Sequence, residues 1–87
     1  MNKKVIIVDD EKAGIDNLSI LIEEFCPQLV VQKTFTEPLE ALKYMKKNGY
    51  PNVLFIDIQM PSITGFDFLE VVQSENFDVV FVTAYEE

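Results

Sequence analysis

The chain has 87 residues, enough for one domain at most, and a domain this short hides a smaller share of its surface than an average one, so its core is modest. Hydrophobic residues make up 48% and charged residues 25%, the balance of a globular domain, which argues against disordered and fibrous classes. Fifteen acids against seven lysines leave a net charge of −8, which disfavours direct contact with nucleic acid or an anionic membrane, because both need basic residues to meet phosphate.

Lys4 to Val8 is a short, β-branched apolar run, expected to form a first strand buried on both faces and ended by Asp9-Asp10. Ile15, Leu18, Leu21, Ile22 and Phe25 recur at helical spacing and mark the apolar stripe of a helix that stops before Pro27. Leu29 to Phe35 follows as a second strand, and Gln32 with Lys33 suggests that it lies at a sheet edge. Thr36 is the expected N-cap of a second helix, with Pro38 in its first turn, Leu39, Leu42 and Met45 on one face and Asn48-Gly49 at its end. Pro51-Asn52 lead into a third strand, Val53 to Ile56. After Met60-Pro61, Gly65 opens a third helix carrying Phe66, Leu69 and Val72, and Val79 to Val82 forms a fourth strand. Strands alternating with helices in this way predict a parallel sheet with helices on both faces, and in such sheets ligands bind at the carboxyl ends of the strands.

Those ends carry the polar residues. Asp9, Asp10 and Glu11 follow the first apolar run, Asp57 the third, and Thr83-Ala84 the fourth. Carboxylates gathered at one edge repel one another, and a hard divalent cation relieves the repulsion. Magnesium accepts few carboxylates, several waters and a phosphate oxygen, whereas calcium takes more oxygen ligands than this set offers. Asp57 is then placed to act as a nucleophile toward a phosphoryl group. Taken singly, Asp9-Asp10-Glu11 reads more readily as a helix cap or a solvated turn and Thr83 as an ordinary β-branched strand residue, while Asp57 is balanced between the two readings. Their joint placement at three strand ends favours the chemical reading.

Histidine is absent, which removes Ser-His and Cys-His nucleophile pairs and every histidine-containing zinc site. Cys26 is the one cysteine, so no internal disulfide can form. The chain opens on no charged-then-apolar leader, and no apolar stretch approaches the roughly 20 residues needed to span a bilayer. A cytoplasmic protein without membrane contact is expected.

Val5-Ile6-Ile7-Val8-Asp9-Asp10-Glu11, Phe55-Ile56-Asp57-Ile58-Gln59-Met60-Pro61 with Gly65, and Val80-Phe81-Val82-Thr83-Ala84 together resemble the receiver domain of two-component response regulators. The resemblance runs from residue 4 to residue 85, so that residues 1–87 read as one receiver domain. It implies a flavodoxin-like (CheY-like), doubly wound parallel sheet in the order 2-1-3-4. It also implies Asp57 as the acceptor of a phosphoryl group from a histidine kinase, in a switch that is not a turnover enzyme. Asp10 and Asp57 would bind magnesium directly, the carbonyl of Gln59 would be the third protein ligand, and Asp9 would act mainly through a metal-bound water. Thr83 would be the switch hydroxyl and the Ala84 N–H a further donor to the phosphoryl group. The wording around Asp57 and Thr83 is similar to receivers that control a LytTR-type DNA-binding output domain.

A complete receiver of this kind has a fifth strand, a fifth helix and a lysine at the end of that strand. The last lysine here is Lys47, so the resemblance implies a receiver incomplete at its C-terminus, with self-association through Val79 to Val82 as the expected consequence of an uncovered edge. Two other readings compete. One is an interaction domain that keeps the acids but no longer switches. The other is a phosphatase of the haloacid-dehalogenase kind, which needs an aspartate two residues after its nucleophile, where this chain has Gln59.

Overall fold

The computed structural model describes residues 2–57 and 77–82. In chain order these form β1 (Lys3–Val8), α1 (Lys12–Phe25), β2 (Leu29–Phe35), α2 (Pro38–Asn48), β3 (Val53–Asp57) and β4 (Asp78–Val82). All three strand pairings are parallel, in one sheet of order β2-β1-β3-β4. This is the flavodoxin-like order that the receiver resemblance implies. The expected third helix, with Gly65, Phe66, Leu69 and Val72, lies outside the described residues.

β1 is central because its composition allows nothing else. Val5, Ile6, Ile7 and Val8 are all at most 1% exposed, so both faces of the strand are covered. Ile6 and Val8 join Leu54 and Ile56 of β3 and Ala41, Leu42 and Met45 of α2 in one apolar cluster. Val5 and Ile7 join Val53 and the α1 residues Ile15 and Ile22 in a second cluster. Alternate side chains of one strand therefore meet different helices, which puts α1 and α2 on opposite faces of the sheet. Right-handed crossovers require this, since the chain steps from β1 outward to β2 and then back across β1 to β3.

Both helices bury a narrower stripe than their sequences suggest. In α1, Ile15 and Ile22 are buried with Leu18 and Cys26 packed beside them, whereas Leu21 and Phe25 are 51% and 72% exposed. In α2 the buried set is Pro38, Ala41, Leu42 and Met45, and Leu39 is exposed. Positions i, i+3, i+4 and i+7 stay on one side of a helix, whereas steps of three from Leu39 drift around it. The α2 N-cap is Glu37, not Thr36: the N–H groups of Glu40 and Ala41 both donate to the Glu37 carbonyl, and Pro38 at the first helical position has no N–H to satisfy.

Gly49 ends α2 as expected, at φ 99° and ψ 162°, a conformation open essentially to glycine alone, with its N–H donated to the Met45 carbonyl at 2.8 Å. β2 is an edge strand with Gln32 and Lys33 exposed, as the sequence indicated. At the amino ends of the strands, Asn52 joins three of them. Its N–H donates to the Lys4 carbonyl at 3.0 Å, its side-chain oxygen accepts the Lys4 N–H at 2.8 Å, and its carbonyl accepts the Asp78 N–H at 3.0 Å.

Leu54 is fully buried between β1 and α2 and has no polar role. Leu54→Ala is expected to lower unfolding free energy by about 2–5 kcal/mol, read from urea denaturation of the whole chain. A loss below about 1 kcal/mol would mean that this cluster is not the principal core.

Candidate functional site

In the β1–β3 pairing Val8 stands opposite Ile56. Asp9 is the residue after Val8 and Asp57 the residue after Ile56, so parallel strands in this register deliver the two acids to the same edge at the same height. Asp57 is itself the last residue of β3, paired with Val82 of β4, one residue further than the strand expected from the apolar run alone. The Asp9 N–H donates to the Phe35 carbonyl at 3.0 Å, which extends the β1–β2 ladder through the first acid and fixes its backbone.

One carboxylate oxygen from each of Asp9, Asp10 and Asp57 lies within 4.8 Å of the others, the one group of acidic side chains among the described residues with metal-holding spacing. Asp9 and Asp57 are half-buried and Asp10 is exposed. Three carboxylates at this spacing suit a hard divalent cation, which prefers oxygen ligands and tolerates an open, watered side. Glu11 does not belong to the group. It is the N-cap of α1, and its N–H donates to Asp9 Oδ1 at 2.9 Å, so Asp9 forms a local side-chain turn as well as one wall of the site. The turn reading of this run therefore holds for Asp9, while its carboxylate also stands in the acidic group.

Partial burial pushes the Asp9 carboxyl above its ordinary value, and the nearby charges of Asp57 and Asp10 push it the same way, while the Glu11 N–H opposes them. Gln59, Thr83 and Ala84 lie outside the described residues. A concavity of about 370 Å³ runs along α2, lined by Glu37, Leu39, Glu40, Leu42, Lys43 and Lys46, and does not include the acids. Charge and strand register, not depth, distinguish the acidic site. Gly14, not singled out by motif, adjoins Asp9, and a glycine inside a helical pattern was the available signal.

Residues 5–87 match the response regulator receiver domain family. The chain belongs to that family. It is 36% identical over 83 residues to a response regulatory protein of Vibrio cholerae, covering 94% of this chain and 34% of that protein. It is 35% identical over 85 residues to the transcriptional regulatory protein BtsR of Escherichia coli K12, covering 97% of this chain and 35% of that protein. The chain thus spans about a third of the length of the curated relatives it matches. The crystal structure of the response regulatory domain of mrkE from Klebsiella pneumoniae superposes with a TM-score of 0.81 at 32% identity, covering 97% of this chain and 69% of that one. The receiver resemblance read from the three sequence blocks and the CheY-like sheet order both stand. Among the described residues, no helix of this receiver is long and apolar enough to cross a membrane.

The raised Asp9 carboxyl fixes the sign of a pH effect in the metal-free receiver. Its folded-state pKa lies above the ordinary 3.8, so folding takes up a proton between the two values. The stability tied to that proton is present below 3.8 and lost as pH rises through the folded value. Asp9→Asn is therefore expected to melt above the native chain at pH 7 in chelator, with the difference shrinking as the solution is acidified toward 3.8. A difference that is constant with pH, or reversed, would refute the electrostatic account of this site.

Proposed function

We propose that residues 1–87 act as one phosphoacceptor receiver domain, in which Asp57 takes a phosphoryl group from a histidine kinase. The observation that carries this reading is the placement of Asp9, Asp10 and Asp57 within 4.8 Å of one another at the carboxyl ends of adjacent parallel strands, in a chain of the receiver family. A carboxylate oxygen of Asp57 forms the new P–O bond as the P–N bond of the kinase phosphohistidine breaks, and the departing imidazole keeps the bond's electron pair. The donor histidine lies outside these 87 residues, which contain none. Asp10 and Asp57 would hold Mg2+ directly with the carbonyl of Gln59, and Asp9 would act mainly through a metal-bound water. Bound Mg2+ neutralises charge on the transferring group, which carboxylates alone would repel. Thr83 would be the switch hydroxyl that turns toward the phosphoryl group, with the Ala84 N–H as a further donor, and the change would alter the surface that a partner reads.

The receiver is a switch in the cytoplasm, not a turnover enzyme: the phosphoryl group on Asp57 biases two conformations. Its output is a DNA-binding domain or partner, in keeping with the name of the BtsR relative, a transcriptional regulatory protein. The net charge of −8 opposes contact between the receiver surface itself and DNA.

The reading is tested by intact-mass measurement after incubation with a small phosphodonor and Mg2+. One phosphoryl adduct is expected on the native chain, none on Asp57→Asn, and none in chelator. An equal adduct on Asp57→Asn, or none on a native chain shown to be folded by circular dichroism, would sink it.

A further inference from the structure

Gly14 is the third residue of α1, and its N–H donates to the Glu11 carbonyl at 3.1 Å, so its backbone is that of an ordinary first helical turn. Glycine in a helix interior is less favourable than alanine by about 0.5–1 kcal/mol, because it loses more backbone freedom on folding. Space around the residue supplies a reason for it. A Cβ built on Gly14 would lie 2.5 Å from Asp9 Oδ2, 3.2 Å from Asp9 Cγ and 3.7 Å from Asp9 Oδ1. The three nearest atoms all belong to that one carboxylate, and 2.5 Å is too short for a carbon and an oxygen that are not bonded. Both backbones are held, Gly14 by its helical bond and Asp9 by its N–H to Phe35 at 3.0 Å. A methyl group at residue 14 would therefore displace the Asp9 carboxylate, which is tied to the Glu11 N–H on one oxygen and stands beside Asp10 and Asp57.

We infer that Gly14 is a positioning residue: its lack of a side chain keeps open the space in which the Asp9 carboxylate stands, and so sets the spacing of the three acids toward a divalent cation. The inference rests on the reading above that these acids hold Mg2+.

The test is a double-mutant cycle on the whole chain, with native, Gly14→Ala, Asp9→Ala and the double variant. Mg2+ affinity is measured by calorimetry and melting temperature in chelator by circular dichroism. Gly14→Ala is expected to weaken Mg2+ binding roughly 10-fold in the native background, the size of effect seen when a residue that orients a ligand is changed. In chelator, Gly14→Ala is expected to raise the melting temperature more in the Asp9→Ala background, where nothing opposes the methyl and helix propensity acts alone, than in the native one. Native Mg2+ affinity retained in Gly14→Ala overturns the inference alone. Equal melting shifts in the two backgrounds do so as well, since Gly14 would then act on the helix and not through Asp9. A folded native chain that binds no Mg2+ overturns the metal reading, and the inference with it.

Discussion

The register between β1 and β3 is the constraint on which the rest depends. Ile7 faces Phe55 and Val8 faces Ile56, and the acids follow one step later on both strands. A slip of one residue would move the two acids apart by about 3.3 Å along the strands and turn every side chain of one strand to the opposite face. Ile6 and Val8 would then leave the α2 side for the α1 side, where Ile15 and Ile22 already pack on Val5 and Ile7. Two helices that need opposite faces of one strand thus lock the register, and the geometry of the acids is a consequence of hydrophobic packing beneath them. The nearby charges of Asp10 and Asp57 work against the charged form of Asp9, so the packing beneath them does the placing.

The acids work against the fold that places them. Asp9 is partly withdrawn from water beside two other carboxylates, and each of these factors disfavours its charged form. The Glu11 N–H offsets part of this, and α1 offers no acidic residue in its first turn that would add to the repulsion. In a chain whose net charge is already −8, concentrating three carboxylates at one edge is a local cost to stability that only a bound cation or a proton removes. The fully buried Val5 to Val8, Leu54 and Ile56 supply the margin against which that cost is set.

Much of this was legible in the sequence because apolar runs and strand ends report directly on register. The continuous run Val5 to Val8 identified a strand covered on both sides, Leu29 to Phe35 had the bounds found in the structure, and the four acids fell after the predicted strands. What was misplaced turned on which of several apolar residues wins a helix face. Leu21, Phe25 and Leu39 are as hydrophobic as their neighbours, and only the angle at which each helix meets the sheet decides that Leu18, Ala41 and Leu42 pack inward instead. The α2 cap was misread for a related reason: Thr36 has the better capping side chain, but Pro38 fixes where the helix can begin, and the Glu37 carbonyl takes the first bonds. Asn52 carries no motif, and Gly14 only the weak signal of a glycine inside a helical pattern. What each touches is a matter of distance across a turn or to residues far along the chain, which spacing in sequence does not encode.

The uneven exposure of the acids bears on how a phosphoryl donor would approach. Asp10 is open to solvent, whereas Asp9 and Asp57 sit half-buried at the ends of the central strands, so among the described residues the group is covered from the sheet side and exposed at Asp10. A hard divalent cation held by these acids would face solvent on the Asp10 side, the open arrangement that suits Mg2+ and its waters. Rigid strands on one side and open solvent on the other are what a protein-borne donor requires, because a large partner cannot enter a closed cavity. The same openness lets water reach Asp57, so a phosphoryl group carried there would be as exposed to hydrolysis as to recognition.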